Sequence, residues 1–493
     1  MKSTEHRPAR PRQRGQAIVW FLATVAACCC VFALVYNVGQ VANKKEENTN
    51  AADAAALSGA LVEARMLNYQ AYTNRAMIAN EVTIAQLISL DSWMRYNNKI
   101  LYYIKIYTTI VPYLNSVTQT LSQVSQQVTD GIDNVVGATV PRIEDLNSAL
   151  SGVREYAYRI GAVAANDVAA KIARANSTTS GGAYDDTVEL TASPIALSLN
   201  QLKWSAFTEQ NNGDGRSVEA KVVLNSRDPF STARGNGDLI DGINDVLEVV
   251  TGAGSLGTDI KSLKKTSGTT TLQDYDHWAA QDSLDVMTTT LFGGKRPDLP
   301  PIPLGYGRVD ANSDDSTGDN LCKTYINLFG LKIPTLNCEL AVNDDPGHVS
   351  WKGLPSIRDL VGGLSKTDPC STNNGSDSPS LTYVMAVDRP GSGTMSTQRM
   401  GLNADVSGPQ GSPAMRDALI GDKLTSAATA CVFFLRPDGN DTSQVGISRS
   451  DGRHEFASLY NPYWQARLTT PDSNWVSTLY ALIGRPGLDR ATQ

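Results

Sequence analysis

Histidine, the side chain most often used for acid–base catalysis near neutral pH, occurs four times in the chain. The four residues are His6, His277, His348 and His454. Asp276 precedes His277 directly, and a carboxylate beside an imidazole can orient a catalytic histidine, but no Gly-x-Ser-x-Gly nucleophile motif and no Walker-type phosphate loop accompany the pair. We therefore interpret the histidines as solvated loop residues, and we expect no catalytic residues and no enzymatic activity.

A second group of residues has the oxygen ligands that calcium prefers. Asp310, Asn312 and Asp314 stand at alternating positions, as in calcium-binding loops. The glycine required at the sixth loop position is replaced by Asp315, and Leu321 stands where the twelfth position needs glutamate. The sequence therefore favours a flexible acidic loop, with calcium as the alternative and no other cofactor or metal.

Seven cysteines form the third group, and they divide by position. Cys28, Cys29 and Cys30 lie in an apolar segment near the start, whereas four others are distal: Cys322, Cys338, Cys370 and Cys431. The absence of a Cys-x-x-Cys pair disfavours a zinc or redox site. Outside the cytoplasm the four distal cysteines would form disulfides, with three possible pairings, of which we predict Cys322 with Cys338 and Cys370 with Cys431.

The charge of the chain is unevenly distributed, with a basic N-terminal tip and an acidic remainder. The chain has 493 residues and a net charge of −7. Residues 1–15 hold five basic residues and one acidic residue, a charge of +4, which leaves −11 for the remainder. A nucleic-acid-binding protein needs a basic face, so this distribution excludes nucleic acid as the main partner.

An apolar segment follows the basic tip. Residues 17–36 read AIVWFLATVAACCCVFALVY, in which Thr24 is the one strongly polar side chain. A helix of twenty residues rises about 30 Å, the thickness of the hydrocarbon core of a bilayer. We predict a transmembrane helix over residues 16–41, and the positive-inside rule places residues 1–15 in the cytoplasm and the rest of the chain outside it.

Three processing events compete with an uncleaved anchor. A secretory signal would have a shorter apolar region, and a lipoprotein cut before Cys28 would leave an apolar rather than a polar start. Cleavage between Gly15 and Gln16, as in pilin precursors, fits the basic leader, but Trp20 stands where pilins usually have glutamate. We favour the uncleaved single-span anchor.

The helix is predicted to continue beyond the membrane, because residues 42–110 contain no proline and one glycine. Small residues recur there at four-residue spacing, which allows close approach of another helix. This helix-docking motif consists of Ala51, Ala52, Ala55, Ala56, Gly59 and Ala60. On composition alone, a generic alanine-rich helix is the alternative.

The basic leader ending Arg14-Gly15-Gln16-Ala17, the apolar span and the run Asn50-Ala-Ala-Asp-Ala-Ala-Ala-Leu-Ser-Gly-Ala60 together resemble the Tad (Flp) pilus-assembly family, TadE/TadG-like. The run Asn74-Arg-Ala-Met-Ile-Ala-Asn-Glu81 resembles larger TadG-like members, and the resemblance covers residues 12–95. It implies a bacterial inner-membrane protein of the tight-adherence pilus or its secretion machinery, with pilin-like helical proteins as partners. The Asp-x-Ser-x-Ser signature of the metal-dependent adhesion domain found in some TadG-like proteins does not occur here.

The remaining chain divides into a helical stalk and a head, which makes the fold class α+β. We predict helices over residues 42–175, interrupted at Gly131, Gly137 and Pro141, as a stalk or bundle. A shift to Gly, Ser, Thr and Asp marks the boundary, and residues 183–493 form a mainly antiparallel head with short helices. Predicted strands cover 187–190, 203–207, 218–224, 381–387, 426–435, 443–448 and 453–457, predicted helices 237–250 and 474–485, and long loops 296–320 and 366–380.

These patterns favour a structural or assembly component of a Tad-type, type IV-like pilus, anchored in the inner membrane with its bulk in the periplasm or at the cell surface. A minor pilin cleaved at Gly15–Gln16, or a surface adhesin, are the alternatives. The aromatic run Tyr460-Asn-Pro-Tyr-Trp464 is interpreted as core and turn packing, with an exposed binding patch as its alternative.

Overall fold

A computed structural model describes the chain in segments. They are residues 16–108, 112–176, 190–210, 216–235, 258–290, 302–313, 325–328, 331–334, 346–362, 379–390, 423–435 and 457–470. The predicted helices at 237–250 and 474–485 and the strand at 443–448 lie outside the described residues, as does nearly all of the segments predicted at 187–190, 453–457 and 366–380.

One helix, α1, runs through the whole first part of the protein, from Gln16 to Thr108. Its 93 residues contain no proline, so every turn after the first has its backbone donor available, and the helix is about 140 Å long at 1.5 Å per residue. The predicted continuation of the apolar helix beyond the span is confirmed.

A second long helix, α2, returns along α1 in the antiparallel direction. It covers Pro112–Ala175. Asn80 Nδ2 donates to Asn147 Oδ1 over 2.7 Å, and Arg95 Nη2 lies 2.6 Å from Asp133 Oδ1, so residues later in α1 meet residues earlier in α2. The two helices form a hairpin.

The predicted interruptions of α2 at Gly131, Gly137 and Pro141 are wrong, because α2 passes through all three residues. A proline removes one backbone donor and strains the preceding turn. Here α2 is held against α1 on both sides of that point, by buried Val136 and Val140 before Pro141 and by Asn147 after it. Tertiary packing outweighs the local cost of the proline.

A four-stranded antiparallel sheet, sheet A, packs against the lower part of α1, by which we mean the part nearer to the apolar span. Its order is β1-β10-β11-β12. The strands are β1 Thr191–Ala192, β10 Leu381–Pro390, β11 Lys423–Phe434 and β12 Trp464–Thr469. The predicted strands at 381–387 and 426–435 are confirmed.

A second four-stranded sheet, sheet C, packs against the upper part of α1. Its order is β3-β4-β5-β8, with β8 parallel to β5 and the other pairs antiparallel. The strands are β3 Thr258–Asp274, β4 His277–Thr290, β5 Ile302–Asn312 and β8 Gly347–Ser350. The position of β5 contradicts the predicted loop over 296–320: glycines of this strand allow it to approach α1, and an ideal Cβ at Gly307 would lie 2.1 Å from the carbonyl oxygen of Ser92.

The remaining described elements are short. They are α3 Pro194–Phe207, β2 Thr208–Gln210, α4 Arg216–Ser226, α5 Pro229–Thr232, the strand pair β6 Tyr325–Leu328 and β7 Leu331–Pro334, and β9 Arg358–Leu360, which pairs with β2.

Two predicted strands are helices instead. Residues 203–207 lie in α3, whose buried residues Ala196, Asn200, Trp204 and Phe207 follow helical spacing. Residues 218–224 lie in α4, which buries Glu219, Ala220 and Val223 on one face. The valines of residues 218–224 favour a strand by composition, but the buried positions of α3 and α4 recur at helical spacing rather than at every second residue. With these corrections, the predicted α+β class is confirmed: a long apolar helix continues into helices and is followed by a region rich in antiparallel sheet.

Candidate functional site: the apolar span and the seam above it

The first two dozen residues of α1 form an exposed apolar rod. Trp20 and Phe32 are each 74% exposed, and none of the side chains in the most apolar stretch is buried in the protein. Thr24, the one strongly polar side chain, donates to the carbonyl oxygen of Trp20 over 2.8 Å, so its hydroxyl is satisfied within the helix. By length and composition, this helix can cross a membrane.

The burial of α1 begins abruptly a few residues above this span. Asn48 is fully buried, and its Nδ2 lies 3.0 Å from the carbonyl oxygen of Val387 on β10 and 3.1 Å from that of Leu424 on β11. One residue earlier, Glu47 accepts from Arg389 over 3.2 Å and also pairs with Lys44. Sheet A is therefore attached to α1 immediately above the span.

The alanine-rich part of α1 fills a narrow space between α2 and sheet A, which we call the seam. The seam comprises Ala51, Ala52, Ala55, Ala56, Gly59 and Ala60 of α1 with the residues that contact them. Its five alanines have at most 1% of their surface exposed. They lie in one core cluster with four alanines of α2 and with apolar residues of β10 and β11.

Gly59 sets how closely the sheet approaches. An ideal Cβ at this position would lie 2.4 Å from the Cε1 and Cζ atoms of Tyr383 on β10. The Tyr383 hydroxyl donates to Asn166 Oδ1 of α2 over 2.9 Å. One tyrosine thus joins α1, α2 and sheet A, so the small residues of the motif dock elements of their own chain.

A carboxylate lies one turn further up the same helix. Glu63 is 1% exposed, and burial raises its pKa well above the usual range, although Lys203 of α3 opposes the shift. Lys203 Nζ donates to Thr382 Oγ1 over 3.0 Å. An uncompensated buried charge is costly, so burial favours the protonated form of this side chain.

Two further buried acidic side chains, Glu81 of α1 and Glu219 of α4, lie near each other. Burial raises the pKa of Glu219 to about 8, against the opposing charges of Arg216 and Arg154. Burial also raises the pKa of Glu81, and the nearby Glu219 raises it further. Asn147 of α2 donates to Glu81 over 2.8 Å.

Five of the buried polar residues of α1 share one helical face, which sequence reasoning did not identify as a group. They are Glu63, Gln70, Asn74, Glu81 and Ser92. Asn74 Nδ2 donates to the carbonyl oxygens of Arg358 and Leu459 over 2.9 and 2.8 Å, and Ser92 donates to Asp282 over 2.8 Å. The sequence signal for this group is its spacing. Successive members are separated by seven, four, seven and eleven residues, which places their side chains on the face of α1 that packs on the sheets.

Residues 15–62 match the family described as putative Flp pilus-assembly TadE/G-like. The N-terminal segment of this chain is TadE/G-like. The match contains the apolar span and the whole helix-docking motif of residues 51–60, and it confirms the resemblance predicted from the sequence. No curated protein and no solved structure gives a significant match to the chain.

Of the three calcium candidates, the structure describes Asp310 and Asn312, and the side chains of both contact other residues. Asp310 and Asn312 lie on β5 rather than in a flexible acidic loop, and Asp314 lies outside the described residues. The carboxylate of Asp310 lies 2.8 Å from Arg308 Nε and 3.1 Å from His277 Nε2. In the described part of the chain no cluster of three or more His, Cys, Asp or Glu residues is arranged to hold a metal ion.

The histidine interpretation is wrong for His277. It opens β4 and is 8% exposed, and its partner is Asp310 across the sheet rather than the preceding Asp276. Asp276 instead pairs with Arg216 over 3.2 Å. His348 lies on β8, with Nε2 2.9 Å from Asn312 Oδ1, while His6 and His454 lie outside the described residues.

Of the distal cysteines the structure describes one. Cys431 is buried on β11, with its Sγ 3.3 Å from Ser380 Oγ. Cys322, Cys338 and Cys370 lie outside the described residues, so the predicted pairing stays a prediction. Cys28, Cys29 and Cys30 are exposed on the TadE/G-like span, and of the two residues at the predicted cleavage site Gly15 lies outside the described residues and Gln16 begins α1.

The aromatic run near the end of the described chain packs into the core. Trp464 is 3% exposed and its ring centroid lies 5.7 Å from that of Phe207 and 5.6 Å from that of Phe434. Asn68 of α1 accepts from the backbone nitrogen of Trp464 over 2.8 Å. This residue therefore ties β12 to α1 just above the TadE/G-like match.

Proposed function

We propose that this protein is a non-enzymatic, membrane-anchored structural or assembly component of a Tad-type pilus or of its secretion machinery. The observation that carries the proposal is the TadE/G-like segment at residues 15–62, whose first half is an exposed apolar helix and whose residues 51–60 line the seam. The first half of the segment is thus available to cross the bilayer, and residues 51–60 attach the folded body directly above it. The family resemblance supports pilin-like helical proteins as its partners.

The charge distribution supports one orientation. The basic residues before the span act as a cytoplasmic retention signal, which places the N-terminus in the cytoplasm and the bulk in the periplasm. Disulfide formation among the distal cysteines is possible in that compartment. A protease added to spheroplasts but not to intact cells should then cleave the body, whereas cleavage in intact cells would favour a surface adhesin.

The assembly role is tested by deleting the gene and counting pili on the cell surface, with total pilin measured in parallel. Surface pili should disappear while pilin is still made, and the full chain should restore them. The double variant Phe21→Arg and Val31→Arg should be lost from the membrane fraction and should fail to restore pili, because an arginine side chain in the middle of a span makes membrane insertion unfavourable. Gln123→Arg with Ser148→Arg, on exposed positions of α2, is the matched control. Normal piliation in the deletion strain would refute the proposal.

The minor-pilin alternative predicts a different mature protein. Cleavage between Gly15 and Gln16 would give an N-terminus at Gln16 and would place the chain in sheared filaments. The proposed anchored component retains Met1 and stays in the membrane fraction. N-terminal sequencing of the protein from both fractions separates the two.

A further inference from the structure

The exposed surface of α2 carries a long row of apolar and small side chains. Successive members are separated alternately by four and three residues, the spacing of a coiled-coil interface. We call this row the α2 stripe. Its members are Val117, Leu121, Val124, Val128, Gly131, Val135, Ala138, Arg142, Leu146, Ala149, Val153, Tyr156, Ile160 and Val163, all exposed.

The α2 stripe is distinct from the face of α2 that packs inside the protein. Val136, Val140 and Arg154 are buried on that inner face. On the stripe, by contrast, Val117 is 60% exposed and Tyr156 is 65% exposed. The helix therefore has two apolar faces, and the residues that the structure describes cover one of them. A contiguous exposed apolar surface of this length is typical of an interaction site.

We infer that the α2 stripe is the interface between two copies of this chain, packed side by side as a parallel pair. The first argument is the irregularity of the stripe. Between Arg142 and Leu146, one turn after Pro141, two steps of four follow each other, a stutter that locally unwinds a coiled coil. An in-register second copy has the same stutter at the same height, so its side chains stay matched along the whole stripe.

The second argument is charge. The eighteen residues 112–129 contain no charged side chain, and the stripe is flanked there by serine, threonine and glutamine. Two copies therefore meet without like-charge repulsion. Further along α2, Arg159, which adjoins Ile160 of the stripe, is paired within the chain with Glu155 over 3.2 Å. Arg142, the one charged member, has Asp145 on the next turn to offset it.

The third argument is area. Ten large apolar side chains of the stripe are each between 38% and 65% exposed. Together they offer several hundred Å², which is of the order of the roughly 800 Å² that each partner contributes to a stable interface. The parallel arrangement rests on the proposed anchoring, because two chains held in one membrane by the same span stand side by side with their stripes at one height, as a two-fold axis along the membrane normal requires.

Cysteine cross-linking of the full chain in native membranes tests this interface. In a background with Cys28, Cys29 and Cys30 replaced by alanine, single Val128→Cys and Val153→Cys variants place a thiol on the stripe. Gln123→Cys and Ser148→Cys place it on exposed positions of α2 outside the stripe. Under mild oxidation the two stripe variants should form a product of twice the chain mass with a yield several-fold above both controls. The distal cysteines are present in all four variants and cannot produce that difference.

A second measurement keeps the result independent of cysteine chemistry. The mass of the full chain in detergent should be that of a dimer, and Val124→Asp with Val128→Asp should convert it to a monomer whose far-UV circular dichroism spectrum is that of the unaltered chain. The melting temperature of the variant should be lower, because a dimer stabilises the folded state. Equal cross-linking at stripe and control positions, a cross-linked product with a different protein, or a monomeric full chain would each overturn the inference. A dimer found in a strain whose piliation does not depend on the protein would refute the proposed function and leave the dimer standing.

Discussion

The ring of Tyr383 occupies the place that a side chain at Gly59 would need, with Cε1 2.4 Å from the ideal Cβ position. Tyr383 is fully buried and hydrogen-bonded to α2, so a shift of its ring would break that hydrogen bond. The residue that allows sheet A to pack on α1 is thus also a residue of the TadE/G-like match.

Replacing Gly59 by alanine should destabilise the protein despite the higher helix propensity of alanine. Overpacking of a core costs about 1–3 kcal/mol, and leucine at this position should cost more. Thermal unfolding of the full chain in detergent measures the effect. Gly152→Ala is the control, because nothing lies within 4 Å of its Cβ position and alanine should there stabilise α2 by up to about 1 kcal/mol. Equal melting temperatures for the two variants would contradict the assigned contact.

Asn48→Asp should separate sheet A from α1 just above the span. Aspartate has nearly the same shape as asparagine but no amide hydrogens when ionised, so the carbonyl oxygens of Val387 and Leu424 would face a carboxylate instead of a donor. Loss of a buried partner costs about 1–3 kcal/mol, and more when a charge is introduced. The same change at exposed Asn134, whose amide bonds only to its own helix, should leave the melting temperature nearly unchanged. If both variants melt alike, the buried contact contributes nothing.

Stability should fall as the pH rises through the neutral range. The pKa of Glu219 is raised from 4.5 to about 8 in the folded protein, so the folded state holds a proton that the unfolded state has lost. Its contribution is fully present below pH 4.5 and is lost as the pH approaches 8. Each unit of pKa shift corresponds to about 1.4 kcal/mol.

Melting temperatures measured between pH 5 and pH 8 check this expectation. Glu219→Gln should flatten the profile, because the amide carries no titrating proton. Glu46→Gln changes an exposed carboxylate of α1 and should leave the profile as in the unaltered chain. A profile for Glu219→Gln as steep as that of the unaltered chain would contradict the shifted pKa of Glu219.

Trp464→Ala should be among the most damaging changes in sheet A. The indole packs on Phe207 and Phe434, and its removal leaves a cavity that typically costs about 3–5 kcal/mol. Leu468→Ala on the same strand removes a side chain that is 44% exposed and should change stability by no more than about 0.5 kcal/mol. A small effect of Trp464→Ala would support the exposed binding patch instead.

The sequence predicts those parts of the fold whose signal is local. The apolar span, the continuation of α1 and the strands β10 and β11 follow from uninterrupted composition or alternation along a few residues. Residues 203–207 and 218–224 were misassigned because β-branched and aromatic residues resemble a strand when the partners that bury them are unknown. The continuation of α2 through Pro141 is not predictable for the same reason: the buried residues of α1 that pack on α2 are distant in sequence.

The candidate site was predictable in part. The small residues of the seam are visible as a four-residue repeat, but the elements they contact are not. Asn48 meets Val387, a partner 339 positions away, and no local pattern indicates such a pair. Asp310 and Asn312 resembled calcium ligands because the strand pairing that sets Asp310 beside His277 cannot be derived from spacing alone.

The uninterrupted α1 has a mechanical consequence. From residue 41 to residue 100 the helix rises about 90 Å, at 1.5 Å per residue, without a proline at which it would bend sharply. Transmembrane helices tilt on average about 20° from the bilayer normal. A tilt of that size in the span of a straight α1 would displace the upper end sideways by about 30 Å. The proposed anchor therefore acts as the short arm of a lever. A change in the tilt of the span would move sheet C, which packs on the part of α1 distant from the span, sideways by about 30 Å.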